Sequence, residues 1–347
     1  MKKKLLLMGG LVAMLFSSCD QDITNVINLP GGEATTTPAT QKEITFTASM
    51  DGMNTRAVET TISNLGSFRV STINSYNTDT LLQNVLFTSS DNGATWIAKD
   101  SKVYWKNDGW HTFYAYGPDE PGKVASFGWT DNNGVQFDFS PNEDAASQKD
   151  LVFATADHHA ANVDSPVNLV FKHVLSEISI KAKNSNSDYT VKVSGVKLGN
   201  IWEKASYYYK KDAWSKWTIK NYSKNYQTTW SNPVTLTSEA SSLDAANVPF
   251  MLIPQQLKAN KNDVTAGNYI AAKITIEKDS QTIFSGWSYT PIDTNWEIGK
   301  HYVYTLDFSN GLGKTSGNLD IAVKAITASV SVTDWVSKDE AVNYGNR

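Results

Sequence analysis

Ile326-Thr327-Ala328-Ser329-Val330-Ser331-Val332-Thr333 places an apolar side chain at every even position and a hydroxyl at every odd one. A period of two over eight residues is the signature of a β-strand with one apolar and one wet face. Just upstream, Leu319, Ile321, Val323 and Ala325 also alternate, but on odd positions. The inward face therefore changes parity at Ala325-Ile326, which requires a bulge or a strand break. Two readings stay open: one long bent strand, or two consecutive strands, each able to fill a different groove.

Outward from this stretch the same short alternating runs recur, broken by turn residues. Phe68–Thr72, Val103–Trp105, Thr112–Tyr116, Val135–Phe139 and Leu151–Ala154 precede Val167-Asn168-Leu169-Val170-Phe171, after which Ile178, Ile180 and Ala182 share one face. Thr190–Leu198, Val248–Pro254, Tyr269–Glu277 and His301–Phe308 follow. No stretch carries a helical period, and many short strands separated by turns predict an all-β chain of two tandem β-sandwich domains. The boundary is expected near residue 165, giving domains 43–165 and 166–347, the second ending in the alternating strand. Trp202–Trp230, crowded with tryptophan and tyrosine, fits this scheme least well and reads as an excursion between strands.

At the other end, Met1-Lys2-Lys3-Lys4 precedes the apolar run Leu5–Phe16 and then Ser17-Ser18-Cys19, which places the single cysteine at the end of an export signal. A basic start, a short apolar core and small residues before the cut describe a signal peptide, too short to span a bilayer. Residues 1–18 are thus expected to be removed and Cys19 to carry lipid, with Phe16 a departure from the commoner Leu. Asp20 and Asp22 resemble the acidic address of surface-exported lipoproteins. Residues 19–42, with Pro30, Gly31, Gly32, Pro38 and a threonine run, read as a flexible tether. Ordered sequence is expected from Glu43, where Ile44, Phe46 and Ala48 share one face of a strand, followed by the polar turn Asp51–Ala57.

The chain has 31 basic and 35 acidic residues, and loss of Lys2, Lys3 and Lys4 moves the formal charge from −4 to about −7. Such a balance disfavours nucleic acid as a partner. With one cysteine there is no disulfide framework and no Cys-based metal site. Ser89-Ser90-Asp91-Asn92-Gly93-Ala94-Thr95-Trp96 matches the Ser-x-Asp-x-Gly-x-Thr-Trp box of sialidase propellers. It stands alone where a propeller repeats it once per blade, and the same residues make a good hairpin. His158-His159 beside Asp157 have no third metal ligand in view and read as a polar loop, and His173 reads as a core histidine. No phosphate loop or nucleophile–base arrangement stands out, so neither an enzyme nor a cofactor is expected. Eleven tryptophans on an exported β-protein leave one further class open, a glycan binder using the Trp202–Trp230 aromatics.

Taken in order, lipobox Cys19, Ile44-Thr45-Phe46, Asn54-Thr55-Arg56-Ala57, Val103-Tyr104-Trp105, Phe113-Tyr114-Ala115-Tyr116, Asp150-Leu151-Val152-Phe153-Ala154, Phe171-Lys172-His173-Val174-Leu175-Ser176, Trp296-Glu297-Ile298-Gly299-Lys300-His301-Tyr302-Val303-Tyr304 and Val332-Thr333-Asp334-Trp335 resemble the fimbrillin-like family of type V pilins. The resemblance implies transthyretin-like or immunoglobulin-like sandwiches, export as an outer-membrane lipoprotein through Cys19, and assembly with other pilin subunits into surface fimbriae that support adhesion to host or glycan ligands. It further implies cleavage between Arg56 and Ala57, loss of the strand bearing Ile44, Phe46 and Ala48, and filling of the vacated groove by Ile326, Ala328, Val330 and Val332 of a neighbour. Tip subunits tend to lack such a donor, so the C-terminal pattern argues for a stalk, whereas an uncleaved anchor would keep its first strand. On the residues alone, the terminal strand could equally complete its own sandwich.

Overall fold

The computed structural model describes residues 42–51, 60–74, 81–105, 109–119, 124–130, 134–159, 164–216, 223–243, 249–260, 262–311, 314–315 and 327–334. Its first strands are β1 (Phe46–Met50), β2 (Ser67–Asn74), β3 (Val85–Thr88), β4 (Ile97–Ala98), β5 (Trp110–Gly117), β6 (Val124–Thr130), β7 (Gly134–Phe139), β8 (Val152–His159) and β9 (Val167–His173). Then come β10 (Ser176–Lys183), β11 (Thr190–Trp202), β12 (Ala205–Tyr208), β13 (Ala213–Lys216), β14 (Ser223–Thr235) and β15 (Ser241–Ser242). The series closes with β16 (Phe250–Leu252), β17 (Tyr269–Lys278), β18 (Gln281–Pro291), β19 (Lys300–Asp307), β20 (Lys314–Thr315) and β21 (Thr327–Asp334). Among the described residues the helices are single 3-10 turns, so the fold is all-β, as the alternating pattern predicts.

β1 to β5, β8 and β9 make a seven-stranded sheet in the order β1-β9-β8-β5-β2-β3-β4. It curls until its edges meet: Phe46 of β1 forms an antiparallel bridge with Trp96 beside β4, and Glu43 bridges Tyr104. The inward row Phe46, Phe68, Phe87, Phe113, Leu169 and Phe171 fills this first core, each side chain fully buried. Val167–His173, which the sequence pattern assigned to the start of the second block, is hydrogen-bonded between β1 and β8 in this first sheet. Its side chains Val167, Leu169 and Phe171 belong to the first core, so the chain leaves that core only after His173.

The second core lies between the sheet β15-β10-β19-β21, which β16 joins through β10, and the sheet β14-β11-β17-β18-β20. Ile178 and Ile180 from one layer meet Val191, Val193, Ile270 and Ile274 from the other, all essentially without exposure. This is a β-sandwich, with its long neighbours β11 and β17 paired antiparallel from Thr190 with Glu277 to Gly199 with Tyr269, the register shifting once between Val193 and Gly195.

A third, four-stranded sheet runs β13-β12-β7-β6 and draws strands from both halves of the sequence. Tyr207 pairs with Phe137 and Ala205 with Phe139. The region Trp202–Trp230 is therefore no simple excursion. Residues 205–216 form a hairpin that extends a sheet begun by β6 and β7, and Phe137, Phe153, Tyr207 and Leu175 share one core beneath it. Lys42–Arg347 accordingly forms one compact unit.

Candidate functional site

The residues expected to carry function fall on the two ends of the ordered chain. At the first end, Lys42 to Met50 is held on both sides. The Ile44 amide donates to the Val103 carbonyl at 2.8 Å, Trp105 to Lys42 at 3.0 Å, and Phe46 and Trp96 exchange amide bonds at 3.0 and 2.9 Å. On the opposite side β1 runs parallel to β9, with Phe46 opposite Val167, Ala48 opposite Leu169 and Met50 opposite Phe171. Ile44 and Phe46 are fully buried, and the Phe46 ring stands edge-on to Phe87 at 4.7 Å and Phe113 at 5.4 Å. One short strand thus closes the first core by joining both edges of its sheet.

Cys19, Arg56 and Ala57 lie outside the described residues. The described residues on either side of Arg56, Asp51 and Thr60, are each bonded to the first sheet or its flank. The Asp51 amide donates to the Phe171 carbonyl at 2.7 Å. Thr60 gives its amide to Asp150 Oδ2 and its hydroxyl to the Asp150 carbonyl, both at 2.8 Å. Asp150 Oδ2 also lies 2.8 Å from Nδ1 of the buried His173, so that histidine serves the core, as its apolar strand suggested.

At the other end, β21 pairs antiparallel with β19 over eight residues, from Thr327 opposite Asp307 to Asp334 opposite Lys300. Directly opposed residues share a face, so Ala328, Val330 and Val332 lie on the side of Leu306, Tyr304 and Tyr302. Those three partners are at most 2% exposed, whereas Val330 is 40% and Val332 49% exposed. Ala328 is exposed as well. β21 is an edge strand, and its apolar row prolongs the core-facing side one strand beyond where side chains cover it. An ion pair between Lys300 and Asp334 fastens its end, and that bond raises the Lys300 pKa. Ile326 and the expected change of parity at Ala325-Ile326 lie outside the described residues.

The remaining candidates resolve into structural roles. In the Ser89–Trp96 box, the Ser89 hydroxyl donates to Asp91 at 2.6 Å and accepts the Gly93 amide at 2.8 Å, while Asp91 accepts the Thr95 amide at 2.9 Å. The Ser89 hydroxyl bond and the Thr95 amide together lower the Asp91 pKa. Gly93 takes the left-handed φ of +89° that closes the turn, and the buried Trp96 indole donates to the Gly93 carbonyl at 3.1 Å. Ser89, Asp91 and Trp96, which give the box its character, thus hold the hairpin between β3 and β4. His158 and His159, expected in a polar loop, end strand β8 instead. Alternation sends them to opposite faces, His158 stacked on Trp105 at 5.2 Å and His159 edge-on to Trp110 at 5.2 Å. Of the aromatics between Trp202 and Trp230, Tyr207 and Tyr226 are buried, and Trp202, Tyr208, Tyr209, Trp214 and Trp230 are half-buried. The Trp214 indole donates to the Val174 carbonyl at 2.7 Å and the Trp230 indole to Val193 at 3.1 Å, so these rings pack the third and second cores. Trp217 and Tyr222 lie outside the described residues.

A closing strand at one end and an uncovered apolar strand at the other set this geometry beside known proteins. Residues 55–335 match the sequence model described as fimbrillin-like. The chain belongs to the fimbrillin-like family. Among solved structures, it is similar to a fimbrial protein from Bacteroides vulgatus at 17% identity and a TM-score of 0.59, covering 84% of this chain and 99% of the other. A candidate cell adhesion protein from Bacteroides ovatus gives 16% identity and a TM-score of 0.51, with 86% and 99% covered. Another from Parabacteroides distasonis gives 12% and 0.52, with 85% and 99% covered. At these identities the likeness establishes the shared β-sandwich fold. Among curated proteins, none matches this fimbrillin-like chain in sequence. Its family supports a fimbrial subunit at the cell surface, in association with other subunits.

Proposed function

We propose that this fimbrillin-like chain is a structural subunit of a surface fimbria: exported as a lipoprotein on Cys19, cut after Arg56, and joined head to tail by exchange of its C-terminal strand. The observation that carries this reading is the complementarity of its two ends. β1 and the two residues before it supply two fully buried side chains, Ile44 and Phe46, and Phe46 makes backbone bonds to one edge of its sheet while Thr45 accepts from Val167 on the other. β21 offers the same period-two arrangement with its apolar row uncovered.

Removal of residues up to Arg56 would leave a groove walled by β9 on one side and by Trp96 and Val103 on the other. Uncovering the surface now under Ile44 and Phe46 would forfeit roughly 1.5–3 kcal/mol for each side chain, a large share of a stability that is typically about 5–15 kcal/mol. A strand with alternating apolar side chains from a neighbour restores both the burial and the backbone ladder. Repetition of this heterologous contact makes a filament. Assembly, not catalysis, is the activity this arrangement serves, and the regular β21 favours a stalk position over a tip.

Mild trypsin followed by intact mass and size exclusion tests the proposal. Cleavage confined to Arg56 and a ladder of oligomers are expected. Val330→Asp with Val332→Asp should abolish the ladder while the monomer remains folded, since both positions are exposed. A ladder that survives those substitutions, or a cut chain that stays monomeric, would refute strand exchange through β21.

A further inference from the structure

The outer face of the first sheet, opposite its phenylalanine core, carries a feature that assembly does not use. On β5, Trp110, Thr112 and Tyr114 point outward together, and their cross-strand partners on β8 are His159, Asp157 and Thr155. Successive pairs stand about 7 Å apart along the strands. The 3-10 turn Tyr209–Lys211 rises beside them from the hairpin of the third sheet. Between these walls lies a cleft of about 280 Å³ lined by Thr112, Tyr114, Thr155, Asp157, Tyr209 and Lys210.

The walls are held in place. The Tyr209 hydroxyl donates to the Ala115 carbonyl at 2.8 Å, and its ring meets Tyr114 edge-on at 5.1 Å. The Thr112 hydroxyl donates to Asp157 Oδ1 at 2.6 Å, which fixes the carboxylate. Near the foot of the turn Lys172 bonds Asp212 at 2.5 Å. Two residues before Thr112, on the same face of β5, stands Trp110, 51% exposed, more than any other large apolar side chain among the described residues. His159 braces its indole at 85°.

An apolar plate beside a small cleft of hydroxyls, one carboxylate and one ammonium has a specific chemical complement. A lipid would find too little apolar surface here, and a strongly charged ligand would meet Asp157 and Lys210 of opposite sign. A pyranose ring matches both halves: its C–H face stacks on an indole, and its hydroxyls accept from lysine, donate to carboxylate and exchange bonds with threonine and tyrosine. We infer that the strip Trp110–Thr112–Tyr114 with Asp157 and Lys210 is a saccharide-binding site, taking one sugar residue in the cleft and stacking the next on Trp110. Of the Trp202–Trp230 aromatics only Tyr209 lines this cleft, while Tyr207, Tyr226, Trp214 and Trp230 pack the cores, and the site does not rest on strand exchange.

The test uses the mature chain with lactose, methyl α-mannoside, chitobiose and sialyllactose as probes, followed by tryptophan fluorescence and saturation-transfer NMR. At least one probe is expected to bind saturably in the millimolar range or tighter. Trp110→Ala and Asp157→Asn should each weaken it about tenfold or more, and saturation transfer should report sugar C–H protons against an indole. Ile97→Ser, on the same outer face but at the far strand β4, should leave binding unchanged, and melting temperatures verify that each variant is folded. Absence of binding to all four probes at roughly 10 mM, or binding that folded Trp110→Ala and Asp157→Asn chains retain, would overturn the assignment. Loss of sugar binding with intact oligomer ladders, or the converse, separates this inference from the assembly proposal.

Discussion

Substituting Phe46 by Ala probes whether β1 closes the first core. The ring is fully buried, 4.7 Å from Phe87, 5.4 Å from Phe113 and 6.0 Å from Phe68, all edge-on. Truncating a buried phenylalanine costs roughly 3–5 kcal/mol in transfer and cavity terms. Edge-to-face pairing adds to burial alone, and the walls here are rings and strands that collapse poorly, so about 4 kcal/mol is expected. For a unit of this size the corresponding fall in melting temperature is about 6 °C. Urea titration and calorimetry on the uncut chain measure it, with Val332→Ser as the companion, since an exposed position should change stability by no more than about 0.5 kcal/mol. The chain cut after Arg56 supplies the decisive contrast: once a neighbour's strand occupies the groove, wild type and Phe46→Ala should become indistinguishable. A loss below about 1 kcal/mol in the uncut chain would mean that β1 is no integral part of the core, and the assembly proposal would fall with it.

Other perturbations have defined outcomes. Asp212 is drawn two ways: burial pushes its pKa up, but bonds from Lys172 and the Tyr207 hydroxyl prevail and hold it below the ordinary value. Its contribution to stability is therefore present above the unfolded pKa and lost as pH falls through the folded one, so Asp212→Asn, tolerated at its left-handed φ of 49°, should be less stable than wild type at pH 7, with the difference shrinking as the pH is lowered through the folded value. At the alkaline end, burial raises Tyr116 and Tyr304 to about 12, favouring their neutral forms in the fold. That stability is complete below the unfolded value near 10 and disappears as pH rises through 12, so ultraviolet titration should show a late tyrosine class that ionises together with unfolding. Gly93→Ala meets both its φ of +89° and a Cβ position 2.7 Å from Ile62 Cγ2, and should cost roughly 1–3 kcal/mol in urea titration.

Much of this architecture is written locally. The alternation of Ile44, Phe46 and Ala48, and of Ala328, Val330 and Val332, identifies both strands and their apolar faces, because period two has one physical meaning. What alternation leaves out is the partner. Nothing within Val167–Phe171 says that it runs parallel to a strand 121 residues earlier, so its placement at the head of the second block follows naturally from sequence proximity. The aromatics after Trp202 posed the same problem: Tyr207 finds Phe137 across a sheet assembled from both halves. Nor does a pattern reveal coverage. Val330 and Leu169 read alike in sequence, yet one is 40% exposed and the other fully buried. The saccharide strip was hidden for a related reason, since Trp110, Asp157 and Lys210 lie on three separate segments that only the folded sheet and its neighbouring turn bring together.

The parallel pairing of β1 with β9 also sets an order of events in time. A strand that meets its neighbour 121 residues later, and its other neighbour at Trp96, contributes the least local contacts of the first sheet, and such contacts form late because the loop must be closed before they stabilise anything. The first strand to be synthesised is thus expected among the last to dock. Phe46→Ala should then accelerate unfolding while leaving the folding rate nearly untouched, a φ-value near zero. An element absent from the folding barrier governs how quickly the native state comes undone, so β1 acts as the clasp that fixes the lifetime of the closed subunit.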